Sequence, residues 1–210
     1  MRAISKGVEP PSLIAHRQTP HCDYDNYPAK DELRRALVNE QRGLCCYCMG
    51  RIQYGEGMKI EHWHSQAHYP GEQLSYRNLL GACFGGHGQP PRLQHCDTRK
   101  GDRELQWNPA DPAHHIETRI RYEMDGTIWA DHAVFDEHLK EVLNLNLAYV
   151  RNNRKAVLIA LLEWWQTRKP MSRARVEREI ERRTGGAGNL TPYCQVAVWW
   201  LKQRLARMTA

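Results

Sequence analysis

Five of the seven cysteines lie between positions 45 and 96, and this cluster constrains the fold more than any other feature of the sequence. Cys45 and Cys48 are separated by two residues, so both thiolates fit on one turn and can bind the same ion. A tetrahedral zinc site needs four ligands, and Cys83 and Cys96 supply a second pair. We therefore predict a structural zinc bound by these four residues.

Two alternatives to four sulfur ligands stay open in the sequence. Cys83 and Cys96 are 13 positions apart, a longer separation than in a compact zinc knuckle, so His87 or His95 could replace one sulfur. The cysteines could also be reduced thiols packed in a core. A zinc with four protein ligands has no open position for water or substrate, and any chemistry must then involve other residues.

The composition narrows the class of protein. The mean hydropathy is −0.73, and no apolar run approaches the roughly 18 residues of a membrane span. Residues 1–11 contain no apolar signal-peptide core, and clustered cysteines without such a signal are typical of metal sites rather than disulfides. We expect a cytoplasmic protein that does not contact a membrane. The 30 basic and 24 acidic residues give a net charge of +6, which favours a polyanionic partner but is also common in basic enzymes.

The hydrophobic pattern divides the chain into three predicted segments. Residues 1–29 show no periodicity and are predicted to form an extended N-terminal arm. Residues 30–110 hold the cysteines and form the predicted core, and residues 111–210 contain a hairpin around Asp125-Gly126 followed by helices. The predicted helices of this last segment span residues 135–145, 148–167, 173–183 and 192–207.

Local signals inside the predicted core are a helix, a hairpin and a long loop. Residues 30–41 have the apolar spacing of a helix. Residues 51–54 and 58–62 flank Gly55-Glu56-Gly57, which is a short-hairpin pattern. Residues 63–94 have little periodicity, and a loop of that length in a compact domain needs something other than a core to hold it. A bound metal would do so.

A second set of residues lies between and just after the cysteine pairs. Glu61-His62 precedes Asn78-Leu79, and Cys96 is followed by Asp97 and then by Lys100. In this order the sequence resembles the HNH endonuclease family, with its acid–histidine pair, central asparagine and final metal ligand. The departures are Glu at 61 for Asp, Asp at 97 for His or Asn, and a histidine at 64 near a usual proline. The resemblance implies an α+β fold in which a zinc-braced ββα-metal core precedes an all-helical C-terminal region.

Within the HNH family, the sequence resembles PtuB, the HNH effector family of the Septu and retron-associated anti-phage systems. It extends over residues 33–48, Glu61-His62-Trp63, Cys96-Asp97 and Trp107-Asn108-Pro109. It implies a nuclease that works in phage defence together with a PtuA-like ATPase. The expected substrate is nucleic acid, with DNA favoured over RNA.

The chemistry of phosphodiester hydrolysis gives each of these residues an expected role. A neutral histidine can take the proton from the attacking water, and His62 is the candidate general base. Glu61 and Asp97 offer oxygen ligands to a catalytic Mg²⁺ or Mn²⁺. Because neighbouring strand residues point to opposite faces, a strand must end or bend at His62 for both side chains to reach one phosphate. Asn78 is expected to orient the loop, and Arg99 and Lys100 to contact phosphates.

Other readings of the same residues stay open in the sequence. His64 is either a second metal ligand or a surface residue. The whole cluster could form a non-catalytic zinc-bound module that binds nucleic acid or a protein partner, or a catalytic zinc hydrolase. Residues 151–184 contain ten basic and four acidic residues, and this segment either follows a phosphate backbone or is a solvated helix face.

Overall fold

The N-terminal segment lies against the rest of the protein and contains one helix. The structure is a computed structural model that describes residues 1–55 and 57–208. Helix α1 spans Pro11–His16, and its Leu13 side chain is fully buried. The prediction of an extended arm is wrong here, because Pro11 has the backbone angle that suits the first turn of a helix and Leu13 anchors that turn in the core.

Helix α2 spans Lys30–Glu40, which confirms the predicted helix. Leu33 and Leu37 are fully buried on its inner face. The helix ends at Glu40, and Gly43 just beyond it has a positive φ of 72° and donates its amide to the carbonyl of Val38. A glycine adopts this left-handed conformation at no steric cost, so the chain turns directly into the cysteine segment.

The first sheet joins two strands that are distant in sequence. Strand β1 spans Lys59–His62 and pairs antiparallel with β2, which spans Leu79–Ala82. The prediction that residues 51–54 would pair with this strand is wrong, since Arg51 forms only an isolated bridge with Leu44. Glu56, in the predicted turn, lies outside the described residues.

The partner of β1 is decided by contacts that the local pattern does not contain. All four residues of β2 are buried. The buried side-chain amide of Gln41 donates to the carbonyl of Gly81 at 2.8 Å and accepts from the amide of Gly81 at 2.6 Å. The amide of Cys46 also donates to the carbonyl of Gly81. These bonds hold β2 against the end of α2 and leave its other edge for β1.

The segment from residue 63 to residue 94 is built from short turns around β2. Single turns of 3-10 helix span Pro70–Glu72, Tyr76–Asn78 and Pro91–Leu93. Helix α3 then spans Cys96–Lys100. The first sheet is therefore followed, after one loop, by a short helix.

The C-terminal half begins with the second predicted hairpin and continues as helices. Helix α4 spans Ile116–Arg119, and strands β3 (Ile120–Tyr122) and β4 (Ile128–Ala130) pair antiparallel. The next predicted helix, over residues 135–145, is interrupted, because α5 spans only Ala133–Glu137 and a π-helical turn at His138–Val142 continues it. The remaining helices confirm the prediction closely: α6 spans Ala148–Thr167, α7 Arg173–Thr184 and α8 Cys194–Ala206.

Buried side chains from the three predicted segments belong to a single hydrophobic cluster. Leu13, Leu37, Leu79, Leu139 and Leu201 are all among its members. Helix α8 packs against both α6 and α7. The protein thus combines helices with two small antiparallel sheets, as the α+β prediction requires at that level. Within the described residues, no helix combines the length and the apolar character that crossing a bilayer requires.

Candidate functional site: a four-cysteine cluster beside a polar cleft

The four cysteines chosen from their spacing lie together in the structure. One ligand atom from each of Cys45, Cys48, Cys83 and Cys96 falls within 4.8 Å of every other. The Sγ atoms of Cys45 and Cys96 are 3.9 Å apart, and those of Cys48 and Cys83 are 3.8 Å apart. Zn–S bonds of about 2.3 Å at tetrahedral angles place sulfurs about 3.8 Å apart. The cluster could therefore hold a metal such as zinc.

The first cysteine pair is shaped by a tight backbone turn. The amide of Met49 donates to the carbonyl of Cys45, and the amide of Cys45 donates to the carbonyl of Gly50. The amide of Gly50 points at Cys48 Sγ, 3.3 Å away. Met49 has a positive φ of 66°. The turn thus fixes the position of the Cys48 sulfur beside Cys45.

The second pair comes from the two ends of the loop after β2. Cys83 follows β2 directly, and Cys96 is the first residue of α3. Cys96 has a positive φ of 55°, and its amide donates to the carbonyl of Leu143. The contact with Leu143 ties the start of α3 to the C-terminal half. The cluster thus joins the turn after α2, the end of β2 and the start of α3.

Neither histidine that could have replaced a sulfur is part of this cluster. His87 is exposed, and His95 is 6% exposed with no hydrogen-bond partner for Nδ1 among the described residues. Cys46 is buried next to the cluster but is not one of the grouped ligands. Four sulfurs already complete a tetrahedron, so the arrangement is that of a closed site rather than one with room for water.

A polar cleft opens beside the cluster and brings the predicted catalytic residues together. The cleft has a volume of about 410 Å³, and Glu61, His62 and Asp97 all line it. Strand β1 ends at His62, as required if both Glu61 and His62 are to reach one cleft. Lys59 and His87 line the same cleft. Asp97 is the residue after the cluster ligand Cys96, so the two sites are one peptide bond apart.

Glu61 is buried among hydrogen-bond partners. Tyr47 donates its hydroxyl to Glu61 Oε1 at 2.6 Å, and Lys100 Nζ lies 2.9 Å from the same oxygen. The side chains of Lys100 and Glu61 are 1% and 2% exposed. Burial and the neighbouring Asp97 carboxylate raise the pKa of Glu61 well above its usual value, although Lys100 and Tyr47 act in the opposite direction.

Asp97 lies in the same cleft as Glu61 and pairs with a different lysine. Its Oδ2 lies 2.5 Å from Lys59 Nζ, and Lys59 also donates to Thr98 Oγ1 at 3.2 Å. Burial acts to raise the pKa of Asp97, but the interactions with Glu61 and Lys59 outweigh it, and the pKa is lowered. The pKa values of the two neighbouring carboxyl groups are therefore shifted in opposite directions.

His62 is held in one tautomer. Its Nε2 lies 3.0 Å from the carbonyl oxygen of Gln73, and a carbonyl can only accept, so Nε2 carries the proton and Nδ1 has the free lone pair. The Tyr24 ring packs edge-on against the imidazole with centroids 4.5 Å apart. Burial lowers the pKa of His62 below its usual value, although the Gln73 bond acts against this. The ring is therefore neutral near pH 7.

Asn78 holds the backbone that follows His62. Its Nδ2 donates to the carbonyl of His64 at 3.0 Å and to that of Glu72 at 3.3 Å. Its Oδ1 accepts from the amide of His64 at 2.7 Å. The amide of Trp63 donates to the carbonyl of Asn78. The side chain thus connects the end of β1 to the turn that presents Gln73, as expected of an orienting residue.

Two expectations about charged residues need correction. Lys100 cannot contact a phosphate as placed, because its buried Nζ bonds the His62 carbonyl at 2.9 Å as well as pairing with Glu61. His64 is not placed with the carboxylates, since its Nδ1 contacts Glu72 at 2.8 Å and its ring stacks on Tyr69. The phosphate role of Arg99 stays a prediction.

Three residues that contact the predicted site were missed from the sequence. Tyr47 and Gln73 bond Glu61 and His62, and Lys59 pairs with Asp97. Tyr47 lies within the cysteine turn and Gln73 acts through its backbone carbonyl, so neither gives a sequence signal. Lys59 precedes Glu61 by two positions on β1, and strand alternation puts both on one face, so that signal was present.

The chain matches no protein-family model, and no curated protein is similar enough to count as a match. The resemblance to HNH endonucleases therefore depends on the motif residues and on how the structure arranges them.

Proposed function

We propose that the protein is a metal-dependent HNH endonuclease that hydrolyses phosphodiester bonds. The observation that carries the proposal is the cleft that places His62, Glu61 and Asp97 together beside four converging sulfurs. The chain order also supports it, since an antiparallel pair of strands is followed by a short helix that begins at Cys96. This order is the one expected of a ββα-metal core, with Glu61-His62 at the end of the first strand.

In this proposal His62 takes the proton from the attacking water. The bond between Nε2 and Gln73 leaves Nδ1 as the accepting atom. Burial keeps the ring neutral, which is the state a general base needs. Asn78 contributes indirectly by holding the backbone just after His62 and the turn that presents Gln73.

Glu61 and Asp97 would hold the catalytic Mg²⁺ or Mn²⁺, and both offer the oxygen ligands that these cations prefer. A divalent cation bound there would stabilise charge on the phosphate and on the departing oxygen. The two lysines nearby already balance the two carboxyl groups. Lys59, whose side chain is 31% exposed, can move away from Asp97 into the cleft, whereas the buried Lys100 has no such freedom.

The setting of the activity is part of the same proposal. On the resemblance to PtuB, the nuclease acts in anti-phage defence with a PtuA-like ATPase and cuts DNA rather than RNA. The support comes from the motif residues alone. The expected result is that cleavage by the purified chain increases when the ATPase is added.

Cleavage assays on matched histidine variants test the proposal. Plasmid DNA and a structured RNA are incubated with the full chain in Mg²⁺ or Mn²⁺, with and without the ATPase. We expect His62→Ala to lower the cleavage rate at least about 100-fold, as loss of a general base does. His64→Ala is the control, because His64 pairs with Glu72 outside the carboxylate pair. Cleavage by His62→Ala at the wild-type rate would overturn the proposal.

A non-catalytic zinc-bound module is the second candidate, and one observation favours it. Lys100 pairs with Glu61 and Tyr47 donates a hydrogen bond to it, so Glu61 could have a purely structural role. A module of this kind would bind nucleic acid or a partner without cutting, in every metal tested. The third possibility, a catalytic zinc hydrolase, needs a zinc with an open position, and the four grouped sulfurs leave none.

A further inference from the structure

Another cavity lies on the C-terminal helices, and four of its six lining residues are arginines. It has a volume of about 300 Å³ and is formed by residues of α6 and α7 and of the connection between them. We call it the arginine pocket. Its lining residues are Trp164, Arg168, Arg175, Arg178, Glu179 and Arg182.

The one carboxylate of the arginine pocket is fully used within the protein. Glu179 Oε1 accepts from Arg182 Nη2 and from Arg183 Nε, both at 2.7 Å, and Glu179 Oε2 accepts from Arg182 Nε at 2.8 Å. Across residues 1–55 and 57–208, Arg168, Arg175 and Arg178 form no ion pair with a carboxylate. Three guanidinium groups thus face the pocket without a negative partner.

Two of the three unpaired arginines, Arg168 and Arg175, are held in place by contacts around the pocket. Arg175 Nη1 donates to the carbonyl of Arg168 at 2.9 Å. The guanidinium of Arg168 lies 5.8 Å from the centroid of the Trp164 ring. The backbone of Arg175 is fixed as well, since its amide donates to the capping hydroxyl of Ser172. Grouping like charges costs free energy that a bound anion recovers.

We propose that the arginine pocket binds phosphate groups of a nucleic acid strand. The planar guanidinium matches the oxygens of a phosphate with two parallel bonds, and the pocket is large enough for a phosphate with its sugar. The surrounding residues 151–184 carry ten basic and four acidic residues, so the field extends along the helices. The inference rests on the proposed function only in taking nucleic acid as the ligand; it uses none of the cleft residues.

Binding measurements on paired arginine variants test this site. Fluorescence anisotropy with labelled single-stranded and duplex DNA is recorded at 50 and 200 mM salt, without added divalent cation. We expect Arg175→Gln/Arg178→Gln to weaken binding at least about tenfold and to reduce the salt slope by about two, one for each lost phosphate contact. Arg173→Gln is the control for the loss per charge, because it removes one positive charge from α7 at a residue paired with Glu177 at 2.9 Å.

The outcomes separate this site from general electrostatics and from the nuclease proposal. Equal loss per charge in Arg173→Gln, or wild-type binding by the double variant, would overturn the inference. Displacement of DNA by AMP at an equal concentration of phosphate groups would assign the pocket to free nucleotides and would also overturn it. Cleavage is measured in parallel. Weak DNA binding by the double variant supports the arginine pocket, and normal binding without cleavage by His62→Ala supports the nuclease proposal. Either result can fail without the other. Circular dichroism confirms that α7 is intact.

Discussion

The cysteine cluster and the neighbouring cleft are one peptide bond apart, yet they are organised in opposite ways. In the cluster, four sulfur atoms converge within 4.8 Å of one another and could hold a cation. In the cleft, each carboxyl group has its own lysine, with Lys59 on Asp97 and Lys100 on Glu61. A cation in the cleft would therefore meet carboxyl groups that already have a positively charged partner.

Because of this difference, we expect the two sites to bind metal with very different affinities. Converging thiolates gain strongly from a bound zinc, and in small zinc domains this gain is much of the free energy of folding. A divalent cation in the cleft must instead compete with Lys59 for Asp97. We therefore expect a tightly held zinc and a weakly held, exchangeable catalytic cation.

The largest effect is expected from breaking the cluster. Cys48→Ala removes one sulfur, and the free energy of unfolding should fall by several kcal/mol, since structural zinc contributes on the order of 10 kcal/mol in zinc fingers. Zinc content by elemental analysis and thermal unfolding measure the two effects together. Cys22→Ala is the control, because Cys22 lies outside the cluster. Full zinc content and an unchanged midpoint in Cys48→Ala would show that the four sulfurs do not bind metal.

The next effect comes from unbalancing the buried pair in the cleft. Lys100→Met leaves the Glu61 side chain without its cation, and loss of one partner of a buried pair costs about 3–5 kcal/mol. The double variant Lys100→Met/Glu61→Gln removes both charges and should recover most of that loss. Urea denaturation measures both values. If the double variant is no more stable than Lys100→Met, the two side chains do not interact as described.

A smaller effect is expected from removing the lysine that competes with a metal ion for Asp97. Lys59→Met removes the cation that competes for Asp97, and the affinity for Mn²⁺ should rise about tenfold, or about 1.4 kcal/mol. Electron paramagnetic resonance of free Mn²⁺ measures the affinity without reference to cleavage. Lys30→Met is the charge-matched control, because Lys30 lies on α2 and does not line the cleft. Equal Mn²⁺ affinities in the wild type and Lys59→Met would mean that Lys59 does not compete with the cation for Asp97.

The smallest effect concerns the protonation of His62. Burial lowers its pKa below the ordinary 6.5, so the unfolded chain binds this proton at higher pH than the folded protein does. His62 therefore contributes stability above pH 6.5 that is lost as the pH falls below that value. In Tyr24→Ala, water reaches the ring, and an NMR titration should show the pKa rising towards 6.5. A pKa that does not move would mean that Tyr24 does not shield the imidazole.

The sequence predicts the elements that depend on local pattern and the ligands that depend on spacing. Helices α2, α6, α7 and α8 and the second hairpin follow from apolar periodicity and turn residues. The four grouped cysteines follow from ligand chemistry alone. In each case the deciding interactions are close in sequence, or the residue type has few other uses.

The predictions that fail are those decided by distant contacts. The partner of β1 is set by Gln41 and Cys46 acting on Gly81, and no pattern near β1 encodes it. The phosphate contact that the sequence predicts for Lys100 is wrong, because this side chain is buried. Its burial depends on Glu61, which lies 39 positions earlier in the chain. The balance of charge in the cleft is likewise a three-dimensional property.

Helix α3 concentrates three functions in only five residues. It begins with a sulfur of the cluster, continues with the cleft carboxylate and ends with the lysine that neutralises Glu61. An insertion or deletion in α3 would change the relative directions of these three side chains, because each residue added rotates those after it by about 100° around the helix axis. The preceding loop around His87 supplies none of these three side chains. Engineers who wish to alter what enters the cleft should therefore vary the length of that loop and leave α3 untouched.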